Sequence, residues 1–187
     1  MKLKKQYLWI FLLINSLVCN SCTNSEARVI IWPAYVVNMG GYTAKEQAEM
    51  FKESDMDHIY TNSIYANEDG SITLEMNEIQ LKSNQKKFMN NIEENIKTAE
   101  ENEITVIVSD DYKSVTFESS SKVETNDFMS TIALTSSNIA ILQMFLGEDP
   151  NDWHLKIKII NADTNTIVKE GSIPDEEIRI SPEDGEE

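Results

Sequence analysis

At 187 residues, with 16 basic and 32 acidic side chains and a formal net charge of −16, the chain is sized for one domain around one core. Its acidity sets it against nucleic acid and anionic surfaces, which excludes a nucleic-acid binder, and attracts cations or basic peptides only without specificity. Apolar residues at 41% and aromatic residues at 8% exclude wholesale disorder.

Residues 1–21 have the parts of an export signal peptide: Lys2, Lys4 and Lys5, an apolar run over 7–14, and a short polar region. Removing them takes away three lysines and no acid, leaving 13 bases against 32 acids, a net −19. Residues 17–22 read LVCNSC. This stretch resembles the cleavage box of bacterial lipoproteins, in which a cysteine after a small residue is diacylated and becomes the new N-terminus. The resemblance implies lipid attachment at Cys22, with Ser21 in the small position; Cys19 fits it less well because Val18 precedes it. It also implies an extracytoplasmic protein anchored to the cell membrane, since two or more acyl chains hold where one is marginal. Cleavage after Ala27 is the other reading, and releases a soluble protein that starts at Arg28. Residues 22–28 are expected to be a linker, 29–173 a single domain, and 174–187, rich in Glu and Asp, a mobile acidic tail. Both cysteines lie in the export region, so the domain holds no disulfide, cysteine nucleophile or thiolate metal site.

The domain opens with an apolar, β-branched stretch, 28–37 (RVIIWPAYVV), a strand signal that Pro33 demotes to an edge or bulged strand. Thr43 and Glu46 have capping-box spacing for a helix over 44–53, with Ala48 and Phe51 turned inward. The arrangement of Trp32, Gly41, Tyr42, Thr43, Ala44 and Glu46, with an Asp-Gly turn after it, resembles the opening of lipocalin-like proteins over residues 32–75. The two long helices further along the chain depart from that pattern. Residues 59–66 and 71–76 form a predicted hairpin around Gly70. Asn77 with Gln80 opens an amphipathic helix to about Glu101, its stripe formed by Leu81, Phe88, Ile92, Ile96 and Ala99. A second hairpin spans 104–108 and 114–118.

Residues 128–147 (FMSTIALTSSNIAILQMFLG) carry no charge and are expected to be the core helix. Phe128, Ile132, Ile139, Leu142 and Leu146 lie on one stripe, with Met129, Ala133, Ala140 and Met144 beside it. Asn126 or Thr125 is expected to cap its start and Gly147 to end it. Seven polar residues, among them Ser130, Ser137, Asn138 and Gln143, make it too polar for a membrane span. Trp153, Leu155, Ile157 and Ile159 then alternate as a strand that returns through Ile167 and Val168. The order from 71 to 160 predicts an α+β fold: one antiparallel sheet with two long helices packed on one face, the split βαββαβ order of ferredoxin-like proteins, with extra edge strands.

The chemistry-bearing residues do not assemble into a motif. His58 and His154 are far apart and lack metal-site spacing. The loop 65–76 has the Asp-Gly of a calcium loop but Tyr65 and Met76 where ligands belong. The serines 119–121 lie outside any nucleophile turn, and six glycines provide no phosphate loop. Trp32, Tyr35, Tyr42, Tyr60 and Tyr65 crowd the N-terminal half and are expected to be partly buried rather than to form a platform. No cofactor, metal or catalytic residue is therefore assigned. The whole resembles the small, uncharacterised surface lipoproteins of low-G+C Gram-positive bacteria. The expectation is a membrane-tethered, non-catalytic binding module, its partner a protein or envelope polymer; the alternatives are an envelope-acting hydrolase using a carboxylate pair and a lipocalin-like carrier.

The anchor is directly testable. Cys22→Ala is expected to abolish metabolic labelling with palmitate and move the protein from the membrane to the medium. Unchanged labelling would place the lipid on Cys19, and an unlabelled parent would mean secretion.

Overall fold

A computed structural model describes residues 27–39 and 41–176. The expected signal peptide, Cys22, most of the 22–28 linker and the end of the acidic tail lie outside the described residues. Within them are seven strands and four helices in the order β1 (Arg28–Trp32), α1 (Ala34–Met39), α2 (Ala44–Ser54), β2 (Ser63–Ala66), β3 (Ile72–Met76), α3 (Glu78–Glu101), β4 (Ile104–Val108), β5 (Ser114–Ser119), α4 (Thr125–Leu146), β6 (Leu155–Asn161) and β7 (Thr166–Ile173). The class is α+β.

Local chemistry sets most of these boundaries. Pro33 ends β1, as its missing N–H requires, but the expected strand is corrected beyond it: 34–39 is helical, with the Val37 N–H donating to the Pro33 carbonyl at 3.1 Å. A proline's fixed φ suits the start of a helix as well as the end of a strand. Thr43 and Glu46 close the capping box on α2. Asn77 does the same for α3, its Oδ1 accepting from the Ile79 and Gln80 N–H groups while Gln80 Oε1 accepts from the Asn77 N–H. In the β2–β3 turn Gly70 takes a φ of +85°, and the Asp69 carboxylate accepts from the Ser71 N–H and hydroxyl. Helix α4 starts earlier than its uncharged run, and its cap residue Glu124 makes no side-chain bond; Thr125 and Asn126 sit inside the first turn instead of capping it. Gly147, at φ +97°, ends it as expected.

The strands divide into two sheets. Antiparallel β1-β3-β2 forms one, and β4-β5-β6-β7 the other, in which β5 and β6 run parallel and the other pairs antiparallel. This corrects the expected single split sheet. The element order β3-α3-β4-β5-α4-β6 is present, but β1 and β2 pair along both edges of β3 and leave it no edge to offer β6. Helix α4 carries the chain from β5 back to the same end, which makes its neighbour β6 parallel. Both sheets are open at their edges, so the closed cavity that a lipocalin-like carrier requires is not formed among the described residues.

One buried cluster joins both sheets and all four helices. At its centre Trp32, 1% exposed, meets Phe51, Phe88 and Phe145 edge-on at 5.7, 6.3 and 6.0 Å. Helix α4 is covered unevenly. Residues 139–145 are buried on every face, whereas Ala133, Leu134 and Leu146 are exposed, so Leu146 departs from its expected core stripe.

Side-chain amides tie these parts together, Gln143 buried and Gln85 half-buried. Gln85 Nε2 donates to the Phe145 carbonyl at 2.8 Å, and Gln143 Nε2 to the carbonyls of Tyr112 at 2.6 Å and His154 at 3.3 Å. Gln143→Leu keeps the volume but strands the Tyr112 carbonyl. It is expected to lower unfolding free energy by about 1–3 kcal/mol in denaturant titrations, with faster amide exchange in the β4–β5 turn; an unchanged midpoint would show that water replaces the amide.

Candidate functional site

The residues considered for chemistry in the sequence stand apart. His58 lies in the α2–β2 loop at a φ of +52°, its Nδ1 3.3 Å from the Thr61 carbonyl. His154 precedes β6 and faces Asp175 at 3.1 Å and Asp152 at 3.7 Å, all three exposed. Among the described residues no three His, Cys, Asp or Glu side chains are grouped as a metal would need. The loop compared with a calcium site is a hairpin turn. Of the serine run, Ser119 ends β5, and Ser121 donates its N–H and hydroxyl to Asp163 Oδ2, both at 2.8 Å. Those bonds hold the Asp163 carboxyl below the usual range and join two loops. The aromatics split: Trp32 is buried and Tyr60 half-buried, while Tyr35, Tyr42 and Tyr65 are exposed on α1, the turn before α2, and β2.

A groove of about 600 Å³ is formed where three helices fail to close over Trp32, within the ordinary range for ligand sites. Helix α2 contributes Gln47, Met50, Phe51 and Ser54, α3 contributes Lys87, Phe88 and Asn91, and α4 presents Ser130, Ala133, Leu134, Ser137, Asn138 and Ile141. The walls are mainly apolar. Two buried polar atoms of the lining have no hydrogen-bond partner among the described residues, the Trp32 indole N–H and Gln47 Oε1. Such atoms cost stability, and they are retained here side by side with an open cleft.

Among the described residues Lys87 is the only ionisable side chain in the lining. Its ammonium sits 4.2 Å from the centre of the Tyr60 ring and 5.2 Å from that of Phe51. Burial lowers its pKa below the ordinary lysine value, and the negative charge of Asp55 opposes the shift. Asp55 is itself occupied, accepting from the Tyr60 and Thr61 N–H groups at 3.0 and 2.8 Å.

This arrangement suits binding. Among the described residues no carboxylate or imidazole lines the groove, and the Ser54 hydroxyl is committed to the Phe51 carbonyl. Sequence reasoning did not find this site. The signal was the polar set on the uncharged helix: Ser130, Ala133, Ser137 and Ile141 have helical spacing, and two of them had counted only against a membrane span.

Lys87 makes the electrostatics testable. The folded state holds that proton less tightly than the unfolded chain, so stability rises with pH between the lowered value and the ordinary 10.5. Denaturation of wild type alongside Lys87→Met, from about pH 8 upward, is expected to show the difference moving in favour of wild type. Movement the other way would mean that the Tyr60 and Phe51 rings hold the ammonium better than water does.

Compared with protein-family models, with curated proteins and with solved structures, the chain matches none.

Proposed function

We propose that this protein is an extracytoplasmic lipoprotein, tethered through Cys22, whose domain is a non-catalytic binding module with the helical groove as its binding surface. The observation that carries the reading is the character of that groove. In a chain with 32 acidic residues, none of the described ones lines the cleft over the aromatic core. Its apolar walls exclude a freely hydrated ligand, and the one cation at its end favours a ligand, or a segment of a partner, with an apolar body and a negative or strongly accepting group. The export signal and the cysteine box support the tether, and the thiol-free domain suits either side of a membrane without oxidative folding.

The groove is testable without knowing its natural occupant. The probe is 8-anilinonaphthalene-1-sulfonate, which joins an apolar body to one anionic group. Wild type is expected to bind it at a saturable site. Leu134→Glu, a change at a side chain 59% exposed, is expected to weaken binding about tenfold, some 1.4 kcal/mol, with no change in thermal stability. Equal binding by both proteins would remove the groove from the reading.

A further inference from the structure

The two most exposed large apolar side chains among the described residues are Met56, at 81%, and Ile79, at 76%; Ile59 is 54% exposed. They come from two elements that the structure brings to one place. Gln80 Nε2, next to Ile79 in the first turn of α3, donates to the His58 carbonyl at 2.9 Å, and Asn84 Nδ2, a turn later, donates to the Tyr60 carbonyl at 2.6 Å. The α2–β2 loop that carries Met56 and Ile59 is thereby pinned to the start of α3. On its other side, the Asn62 N–H and the Thr61 hydroxyl donate to the Glu75 carbonyl near the end of β3, at 2.8 and 2.9 Å.

The chain enters the domain at this same end. Arg28, the first residue of β1, pairs in register with Met76, and its Nε lies 3.4 Å from Glu78 Oε2. Lys82 approaches the same carboxylate at 4.0 Å. A pole with three projecting apolar side chains therefore has two bases beside Glu78, with Asp55 and Asp57 the acids on its loop.

We propose that this pole, formed by Met56, Ile59 and Ile79, seats in the interfacial layer of the membrane that holds the lipid anchor. The inference rests on the tethered reading above and deepens it. Five residues separate Cys22 from Arg28, so the six steps between them reach at most about 20 Å when fully extended, and an acylated Cys22 keeps the entry point of β1 within that distance of the bilayer. Val29 and Ile31, on β1 itself, are exposed at the same entry, whereas the exposed Leu134, Ile107 and Ile167 belong to α4, β4 and β7. Apolar side chains held at the headgroup boundary leave water on insertion, and the flanking bases are tolerated there. This seating also fixes the orientation of the domain. Lys87 lies eight residues beyond Ile79 on α3, about 12 Å along the helix, while Ser54 of the groove lining is two residues from Met56, so one end of the groove opens beside the seated pole.

The test uses the full-length lipidated protein in vesicles of phosphatidylcholine with phosphatidylglycerol. Because the domain has no cysteine of its own, single variants Met56→Cys, Ile79→Cys and Glu101→Cys each take one fluorophore. Glu101 ends α3, about 33 Å from Ile79 along the helix, and all three positions are exposed. Nitroxide-labelled lipids are expected to quench the fluorophore at 56 and 79 at least threefold more than at 101. Equal quenching at the three sites, with the protein still vesicle-bound, would overturn the seated pole and leave the tether intact. Failure of the parent to take up palmitate or bind vesicles would overturn both. Met56→Glu with Ile79→Glu supplies the second readout: palmitate labelling should persist while a fluorophore on Ile59→Cys loses its quenching, and retained quenching would count against the proposal.

Discussion

Everything in this domain depends on how Trp32 is buried. It is the last residue of an edge strand, and its ring reaches out of the three-stranded sheet to touch Phe51 of α2, Phe88 of α3 and Phe145 of α4. Edge-on contacts of this kind add about 0.5–1.5 kcal/mol each beyond area burial. The larger consequence is topological. The small sheet exchanges no strand pairing with the four-stranded one, so its attachment relies on side-chain packing, with these rings at the centre. Pro33 makes the arrangement possible, because it stops pairing directly after the indole and turns the chain into α1.

The helices around the indole do two different jobs. Helix α4 is wrapped on all faces through 139–145 and anchors the interior, while its first half stays partly open. Helix α3 works as a spine: its first turn holds the α2–β2 loop, its middle reaches Phe145 through Gln85 and the groove through Lys87, and its last residues lead into β4. The groove is what remains where α2, α3 and α4 converge on the indole without enough large side chains to fill the space. Ser130, Ala133 and Ser137 are too small to do so.

Features governed by neighbouring residues were legible in the chain. Thr43 with Glu46, Asn77 with Gln80, the Asp-Gly turn and Gly147 each act within a few residues, and the elements they bound lie where the pattern puts them, except that β2 begins at Ser63 and leaves 59–62 as loop. The period-2 alternation of Leu155, Ile157 and Ile159 likewise marks β6. What escaped is governed by distant pairing. Nothing near β3 says that β1 and β2 will saturate both of its edges, and only that competition splits the sheet. Buried amides were hidden for a similar reason: Gln143, Asn84 and Gln80 look like surface residues until the carbonyls they satisfy arrive from far along the chain. The groove was invisible because periodicity shows which face of a helix is apolar and not whether a neighbour covers it.

The five register pairs of β1 with β3 run from Arg28 opposite Met76 to Trp32 opposite Ile72. Any traction transmitted through a leader attached ahead of Arg28 acts along that strand, at right angles to its ladder bonds. The rungs then bear the load together, in shear, instead of parting one after another like a zip. The indole at the far end has to be dragged out of its nest of rings before the strand can slide. A short first strand placed this way is a strong point against a pull from the N-terminal side.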